Sequence, residues 1–377
     1  MMKIPFNRPW AAPRERDYVE AVLKGPIRSG GGPFTKKCQD LITGALGCHA
    51  ALLTTSGTDA LEMAALLIDL QPGDEVILPS FTFVSTANAV VLRGARPVFA
   101  DVRPDTLNLD ERQLPSLITA RTRAIIPVHY AGVACAMDEI MAIAKTKNLA
   151  VIEDNAHGLF ASYRGRQLGS IGGLAALSFH ETKNFSCGEG GALLVNDPAF
   201  AARAAVLRDK GTNRERFLLG QVDRYSWVDV GSSFLPSEIL AAILLSQLDE
   251  REAVRQLRAR VWFGYQSRLG SWARHHGVGL PVVPADCVSS HHLFHLVMPD
   301  LGSRQALIKH LGNLGILAVF HYQPLNASEM GLTLGGRIGQ CPVSEDIATR
   351  LVRLPLFNSM TLAEQDEVCA GVEGFSP

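Results

Sequence analysis

The chain has 377 residues, of which 47% are hydrophobic and 19% charged. That is more than one hydrophobic core usually holds and too apolar for a disordered chain. With 36 Lys plus Arg against 37 Asp plus Glu, the formal net charge of −1 argues against a protein built to bind nucleic acid or an anionic membrane.

The first two-thirds alternates short apolar runs with helical patterns. Candidate strands fall at Ala51–Thr54, Glu75–Leu78, Pro97–Ala100, Arg123–Val128, Ala150–Ile152, Ala175–Ser178 and Ala192–Val195. Most are continuous apolar runs, as expected of strands covered on both faces in a largely parallel sheet. Helical patterns occupy Ala60–Ile68 and Met137–Lys147, and Pro72-Gly73-Asp74 marks a turn. From Ser237 to Leu269 a long helical period carries the chain toward a second, smaller unit. That unit is predicted to hold strands at Leu293–Val297 and Ala318–His321 around a helix at Arg304–Leu314. The expected division is residues 1–245 and 246–377, packed together because no flexible linker intervenes.

Seven cysteines stand singly with no Cys-x-x-Cys pair, which fits a reducing compartment better than a disulfide framework or a thiolate zinc site. The segment MMKIPFNRPW has no apolar signal core and no apolar run reaches membrane-spanning length. A cytoplasmic location is the expectation.

Four segments at predicted strand ends carry chemistry, where open α/β sheets bind ligands. Thr54-Thr55-Ser56-Gly57-Thr58 leads from a strand into a helix, whose free N–H groups and hydroxyls can receive an anion; an ordinary cap by Ser56 or Thr58 is the plainer alternative. Val151-Ile152-Glu153-Asp154 delivers two adjacent carboxylates, of which alternation lets one face a given ligand. His157 follows, either as a ligand contact or as a satisfied polar residue. In Ser178-Phe179-His180-Glu181-Thr182-Lys183 a lysine stands just past a strand and before the glycine-rich Gly188-Glu189-Gly190-Gly191, placed to link covalently to an aldehyde. Pro79-Ser80-Phe81-Thr82-Phe83 offers an aromatic that either stacks on a planar ligand or packs in the core.

With these residues in view, the chain resembles the DegT/DnrJ/EryC1/StrS family of sugar aminotransferases over nearly its whole length. SFHETKNFSCGEGG, from Ser178 to Gly191, is the most specific stretch. The resemblance implies an α/β, fold-type-I enzyme dependent on pyridoxal 5′-phosphate. Its large domain would hold a mixed, mostly parallel seven-stranded sheet, followed by a smaller C-terminal α+β domain, and it would work as a homodimer with shared active sites. It also implies roles. Lys183 becomes the covalent anchor and proton carrier, and Asp154 the partner of the ring nitrogen. His157 becomes the contact to the ring hydroxyl, Phe81 the stacking aromatic, and Ser56, Gly57, Thr58 and Ser178 the phosphate ligands. Ser233 stands where many members carry the asparagine of a Gly-x-Asn-x-Arg motif that crosses to the partner's phosphate, while Leu235 lacks the arginine's charge. Lys183 separates the chain from related dehydratases, which carry histidine there.

The implied reaction moves an amino group from L-glutamate to a nucleotide-linked 4-keto-6-deoxy sugar. His321 and Tyr322, Arg214, and His129 and Tyr130 are the candidate substrate contacts. His291, His292 and His295 read as part of a strand rather than a zinc site, because no further ligand of recognised spacing follows. A dinucleotide-binding dehydrogenase is disfavoured by the lack of Gly-x-Gly-x-x-Gly after the first strand. A regulator that binds without catalysing is disfavoured by the presence of Lys183 and Asp154.

Overall fold

The computed structural model describes residues 2–377; Met1, which begins both the N-terminal segment and the first expected domain, lies outside the described residues. Seven strands form one sheet in the spatial order Ala50–Thr54, Gly191–Val195, Leu174–Ser178, Ala150–Asp154, Thr122–Ile125, Glu75–Pro79 and Arg96–Ala100. Gly191–Val195 runs antiparallel to both neighbours, and the other pairings are parallel. The sheet is therefore mostly parallel, as the continuous apolar runs implied, and mixed, as the resemblance implied. Every residue of Glu75–Pro79 and Gly191–Val195 is buried.

Helices cover both faces. Gly57–Leu67 and Val84–Val91 lay Leu61, Met63, Ala64 and Val90 over Leu78, Leu174 and Leu193. On the opposite face, Pro33–Leu46 and Glu238–Asp249 close over Leu53, Leu177 and Leu194, while Met137–Lys147 closes over Ile77, Ile125 and Val151. Each such leucine or isoleucine taken out of water contributes roughly 1.5–3 kcal/mol before the entropy of ordering is subtracted.

The long helical period is two helices, Glu238–Asp249 and Arg251–His276, meeting at Glu250, whose ψ of 17° breaks the run. Residue 245 thus lies inside the first helix. Leu248 and Val254 still pack on the large sheet, whereas Val261, Tyr265 and Leu269 enter a separate core. That second core also takes Ile4 from the N-terminal segment. It is floored by a two-stranded antiparallel sheet of Phe294–Val297 and Leu351–Leu354, flanked by helices Leu301–Asn313 and Leu362–Glu373. The strand expected at Ala318–His321 is reduced to a single bridge between Val319 and Arg353. Among the described residues, all seven cysteines are free and no helix is long and apolar enough to cross a membrane.

Candidate active site

A cavity of about 680 Å³ opens at the carboxyl ends of the central strands, between the large sheet and the smaller core. Its lining gathers Ser56, Gly57, Thr58, Asp154, His157, Ser178, Lys183, His321 and Tyr322 from segments far apart in sequence.

The floor is a tight backbone crossing. Ser56 caps the helix Gly57–Leu67 by accepting from the Asp59 N–H at 3.0 Å, and Thr58 Oγ1 lies 2.7 Å from Ser85 Oγ. The first N–H groups of that helix have no partner within it, as in turns that can receive an anion. Of the two alternatives in the sequence, the Ser56 cap is formed, and it leaves the turn on the cavity floor. A Cβ on Gly57 would come within 2.9 Å of Ser178 Cβ, and one on Gly191 within 2.3 Å of the Ser56 carbonyl. Two glycines are required for three strand ends to converge there.

Asp154 ends its strand with one oxygen accepting from Thr86 Oγ1 at 2.7 Å and the other from the Ala156 N–H at 3.2 Å. Thr82 lies behind Thr86, hydroxyl to hydroxyl at 3.0 Å, so the carboxylate is held in one orientation. Glu153 points to the opposite face, as alternation demands. It accepts from the N–H groups of Gly169, Ile171 and Gly172 at 2.7–2.8 Å and from His129 Nε2 at 2.9 Å. Burial pushes the Glu153 carboxyl up, but these donors outweigh it and hold it below the usual range.

Lys183 lies in the turn after Ser178, its N–H bonded to the His180 carbonyl at 2.9 Å. Burial, helped by the charge of Arg353, lowers its amine to about 8 against the opposing pull of Asp154. An appreciable share is therefore uncharged and nucleophilic near neutral pH.

His157 stacks on His292 with centroids 4.1 Å apart, and His292 Nδ1 meets Asn184 Oδ1 at 2.9 Å. Burial first, then the charge of Lys183, holds the His157 imidazole neutral, well below its usual range. Tyr322 OH lies 3.3 Å from His157 Nε2, while the buried His157 Nδ1 has no partner. With Tyr322 donating to Nε2, Nδ1 carries the proton and is free to donate.

Five residues expected at a ligand do not line this chain's cavity. Phe81 is 1% exposed and packs in the core against Tyr130 at 5.3 Å and Tyr322 at 5.7 Å. The chain leaves its strand at Pro79 and starts a helix at Val84, so Phe83, 56% exposed, is the aromatic on the cavity wall. Phe81→Ala should lower stability by about 3–5 kcal/mol, as deletion of a buried ring does. Phe83→Ala should leave the melting temperature nearly unchanged and weaken cofactor retention; thermal melts and cofactor titrations separate the two. His129 is buried behind the wall: its Nδ1 accepts from the Cys135 N–H at 3.2 Å, so Nε2 donates to Glu153. Tyr130 is likewise buried, its OH 2.7 Å from His321 Nδ1, and it supports the cavity wall from behind. Arg214 and Ser233 are exposed and outside the cavity of their own chain; Arg214 sits 3.6 Å from Asp209, and Ser233 forms a bridge to the same residue. His291 packs against Trp262 and Phe263, apart from the cavity. Among the described residues, no three His, Cys, Asp or Glu side chains are grouped to hold a metal ion.

The sequence also left cavity residues unread. Thr86 is four residues from Thr82 on a helix whose start no cap announces. His292 was hidden in a histidine-rich stretch, and Arg353 lies on a strand too short to show a period.

The cavity fits pyridoxal phosphate on its own features: a helix start flanked by the Ser56, Thr58 and Ser178 hydroxyls, an unpartnered buried imidazole nitrogen, and a depressed lysine amine opposite a fixed carboxylate. Fold and site together define a pyridoxal-phosphate-dependent aminotransferase of fold type I. The DegT/DnrJ/EryC1/StrS aminotransferase family model matches residues 11–373, and the chain belongs to that family.

The chain is 34% identical to the GDP-perosamine synthase of Caulobacter vibrioides over 96% of each chain. It is 32% identical to the UDP-2-acetamido-2-deoxy-3-oxo-D-glucuronate aminotransferase of Pseudomonas aeruginosa, covering 95% of this chain and 96% of that one. Its fold superposes on the PLP form of Spr1654 from Streptococcus pneumoniae with a TM-score of 0.90 at 25% identity, over 98% and 97% of the two chains.

Proposed function

We propose that the chain transfers the amino group of L-glutamate to dTDP-4-dehydro-6-deoxy-D-glucose, giving dTDP-4-amino-4,6-dideoxy-D-galactose and 2-oxoglutarate. The observation that carries a transaminase reading is the pairing of Lys183 with Asp154 across a cavity floored by the Ser56–Thr58 turn. The choice of sugar rests on the segments PSFTFVSTANA, PVHYAGVAC, SFHETKN, KGTNRERF and VFHYQPL, which resemble the transaminase of enterobacterial common antigen synthesis.

Bound there, pyridoxal phosphate supplies an aldehyde and an electron-withdrawing ring that takes up negative charge when a C–H proton leaves. Ser56, Thr58 and Ser178, with the helix N-terminus, hold the phosphate. Asp154, fixed by Thr86, keeps the ring nitrogen protonated. The His157 Nδ1–H would donate to the ring oxygen, and Phe83 would cover a ring face. Lys183 forms the covalent anchor through its free amine. When free, the same nitrogen would be the base for the donor's α-proton and the acid that gives a proton back. In the second half it moves protons in the reverse order and delivers one to the sugar carbon, and the face it occupies fixes the amine's configuration. His321 and Tyr322 offer neutral polar groups to sugar hydroxyls.

A homodimer is part of this reading. Leu218, Leu219 and Trp227 are 70%, 65% and 79% exposed on the segment that also carries Arg214. An apolar surface of that kind suits burial against a second copy, which would bring Arg214 and Ser233 toward the partner's cavity. A second reading, a UDP- or GDP-linked acceptor, is favoured by the names of the two relatives above. Incubating the loaded protein with glutamate and a panel of dTDP-, UDP- and GDP-linked 4-keto-6-deoxy sugars tests both. Amination of the dTDP sugar, with galacto proton couplings in the product, is expected; preferential amination of another nucleotide's sugar overturns the assignment.

A further inference from the structure

Arg258 is a buried arginine that the roles above leave unused. It lies on the helix Arg251–His276, one turn beyond Val254, which packs on the large sheet, and one turn before Val261, which enters the smaller core. It is 2% exposed, and burial pulls its guanidinium below the usual value. Its donors fan out to two segments. Nε donates to the His291 carbonyl at 3.1 Å, Nη2 to the carbonyls of His292 and Leu356, and Nη1 to Asn358 Oδ1 at 3.0 Å. These partners are all uncharged oxygens. A buried charge without an anion is a cost to the fold, so ion pairing does not account for this residue. What the guanidinium supplies is five donors in one rigid plane, which no other side chain offers.

Both segments lead to the lysine. With Asn358 Oδ1 turned to the guanidinium, its Nδ2 faces the other way and donates to the Asn184 carbonyl at 3.2 Å, one residue past Lys183. Asn184 Nδ2 donates to the Ser290 carbonyl at 2.8 Å, which leaves Asn184 Oδ1 to accept from the His292 Nδ1–H at 2.9 Å. Ser290 Oγ donates to the His157 carbonyl, and the His292 ring is stacked on that of His157. Between Ser290 and His292 the chain passes through His291 at a φ of 53°, a left-handed backbone that residues with side chains seldom adopt. The Arg258 donors on the carbonyls of His291 and His292 hold that turn. Without Arg258 the Asn358 amide is also free to rotate, and its oxygen then repels the Asn184 carbonyl. We propose that Arg258 is a positioning residue for transamination: through Asn358 and Asn184 it fixes the turn that carries Lys183, and through the turn at His291 it fixes the His292 ring on which His157 lies. This rests on the transaminase reading above. The Lys183 amine is lowered chiefly by burial, so what holds the turn also holds the amine out of water.

The test compares the full chain with Asn358→Ala, Arg258→Lys and the double variant. Arg258→Lys keeps the positive charge but gathers its donors on one nitrogen; Asn358→Ala leaves Arg258 in place and cuts the link to Asn184. Melting temperature checks folding, and if Arg258→Lys does not fold, Asn358→Ala decides alone. Two readouts follow. Capture of pyridoxal phosphate by the cofactor-free chain is measured against pH, and bleaching of the cofactor-loaded chain is measured against L-glutamate concentration. Both single variants should move the capture midpoint upward from about 8. A shift of roughly 0.5–1 pH unit, toward the ordinary lysine value, is expected of an amine that regains water. Maximal bleaching should slow roughly 10- to 100-fold, as when a reacting group is misplaced. Half-saturation by glutamate should stay within about 2-fold, because no contact to the donor is removed. Arg258→Lys should cost less in the Asn358→Ala background than alone, since the two act along one path. A lowered melting temperature with an unchanged midpoint and maximal rate makes Arg258 a structural residue only and overturns the proposal; so does full additivity of the two substitutions. If borohydride reduction of the unmodified, loaded chain leaves Lys183 unlabelled, the transaminase reading itself fails, a result distinct from any change seen in the variants.

Discussion

Lys183→Ala should reduce turnover by roughly four orders of magnitude or more, because one side chain serves as both nucleophile and proton carrier. The loss should not come from unfolding. The turn that carries Lys183 is anchored by its neighbour: Asn184 Nδ2 donates to the Ser290 carbonyl at 2.8 Å, and Asn358 Nδ2 donates to the Asn184 carbonyl at 3.2 Å. Removing a desolvated amine also takes no hydrogen bond from the core. The pH dependence follows from the same burial. Since the amine is lowered to about 8, its uncharged fraction grows as pH rises through that value. Capture of pyridoxal phosphate by the cofactor-free protein should therefore quicken up to about pH 8 and level off above it. Stopped-flow absorbance gives that profile, and borohydride reduction followed by peptide mass analysis locates the modified lysine. A label on another lysine, or normal turnover by the alanine variant, would remove Lys183 from the mechanism.

Asp154→Asn should slow proton removal by about 10²–10³, the range seen when one preorganised electrostatic partner is lost. The amide can accept from the Ala156 N–H and donate to Thr86 Oγ1, whose hydrogen can turn to Thr82, so the local geometry survives. What disappears is the negative charge that favours a proton on the ring nitrogen, and with it the ring's capacity to take up charge as the α-proton leaves. Affinity for the cofactor should fall much less, since the phosphate turn is untouched. The discriminating measurement is the half-reaction with glutamate deuterated at the α-carbon. The variant should show a larger isotope effect than the unmodified protein, because proton transfer becomes rate-limiting. A fall in cofactor affinity with an unchanged half-reaction rate would make Asp154 a binding residue only.

Much of this was legible in the chain. The continuous apolar runs foretold the doubly covered sheet, and all seven predicted strands overlap strands of that sheet. Ser56–Thr58, Asp154, Ser178 and Lys183 could be named because each stands just past such a run, where local order in the sequence coincides with one end of the sheet. Less legible was anything that depends on how the chain turns after leaving a strand. Phe81 and Phe83 are two residues apart in one segment, and the turn after Pro79 decides which ring meets the cavity. His129 and Tyr130 follow a strand as properly as Asp154 does, yet Glu153 and His321 claim them.

The sequence by itself determined the fold class, the covalent lysine candidate and the capped turn on the cavity floor, because periodicity, glycine and strand-end position are local properties. Tertiary structure alone decided which partners Asp154 and Glu153 take, that His157 keeps one nitrogen free, and that Arg353 enters the cavity without a carboxylate. Each of these depends on burial and on which distant segment supplies a hydrogen-bond partner, and neither is encoded by neighbours along the chain.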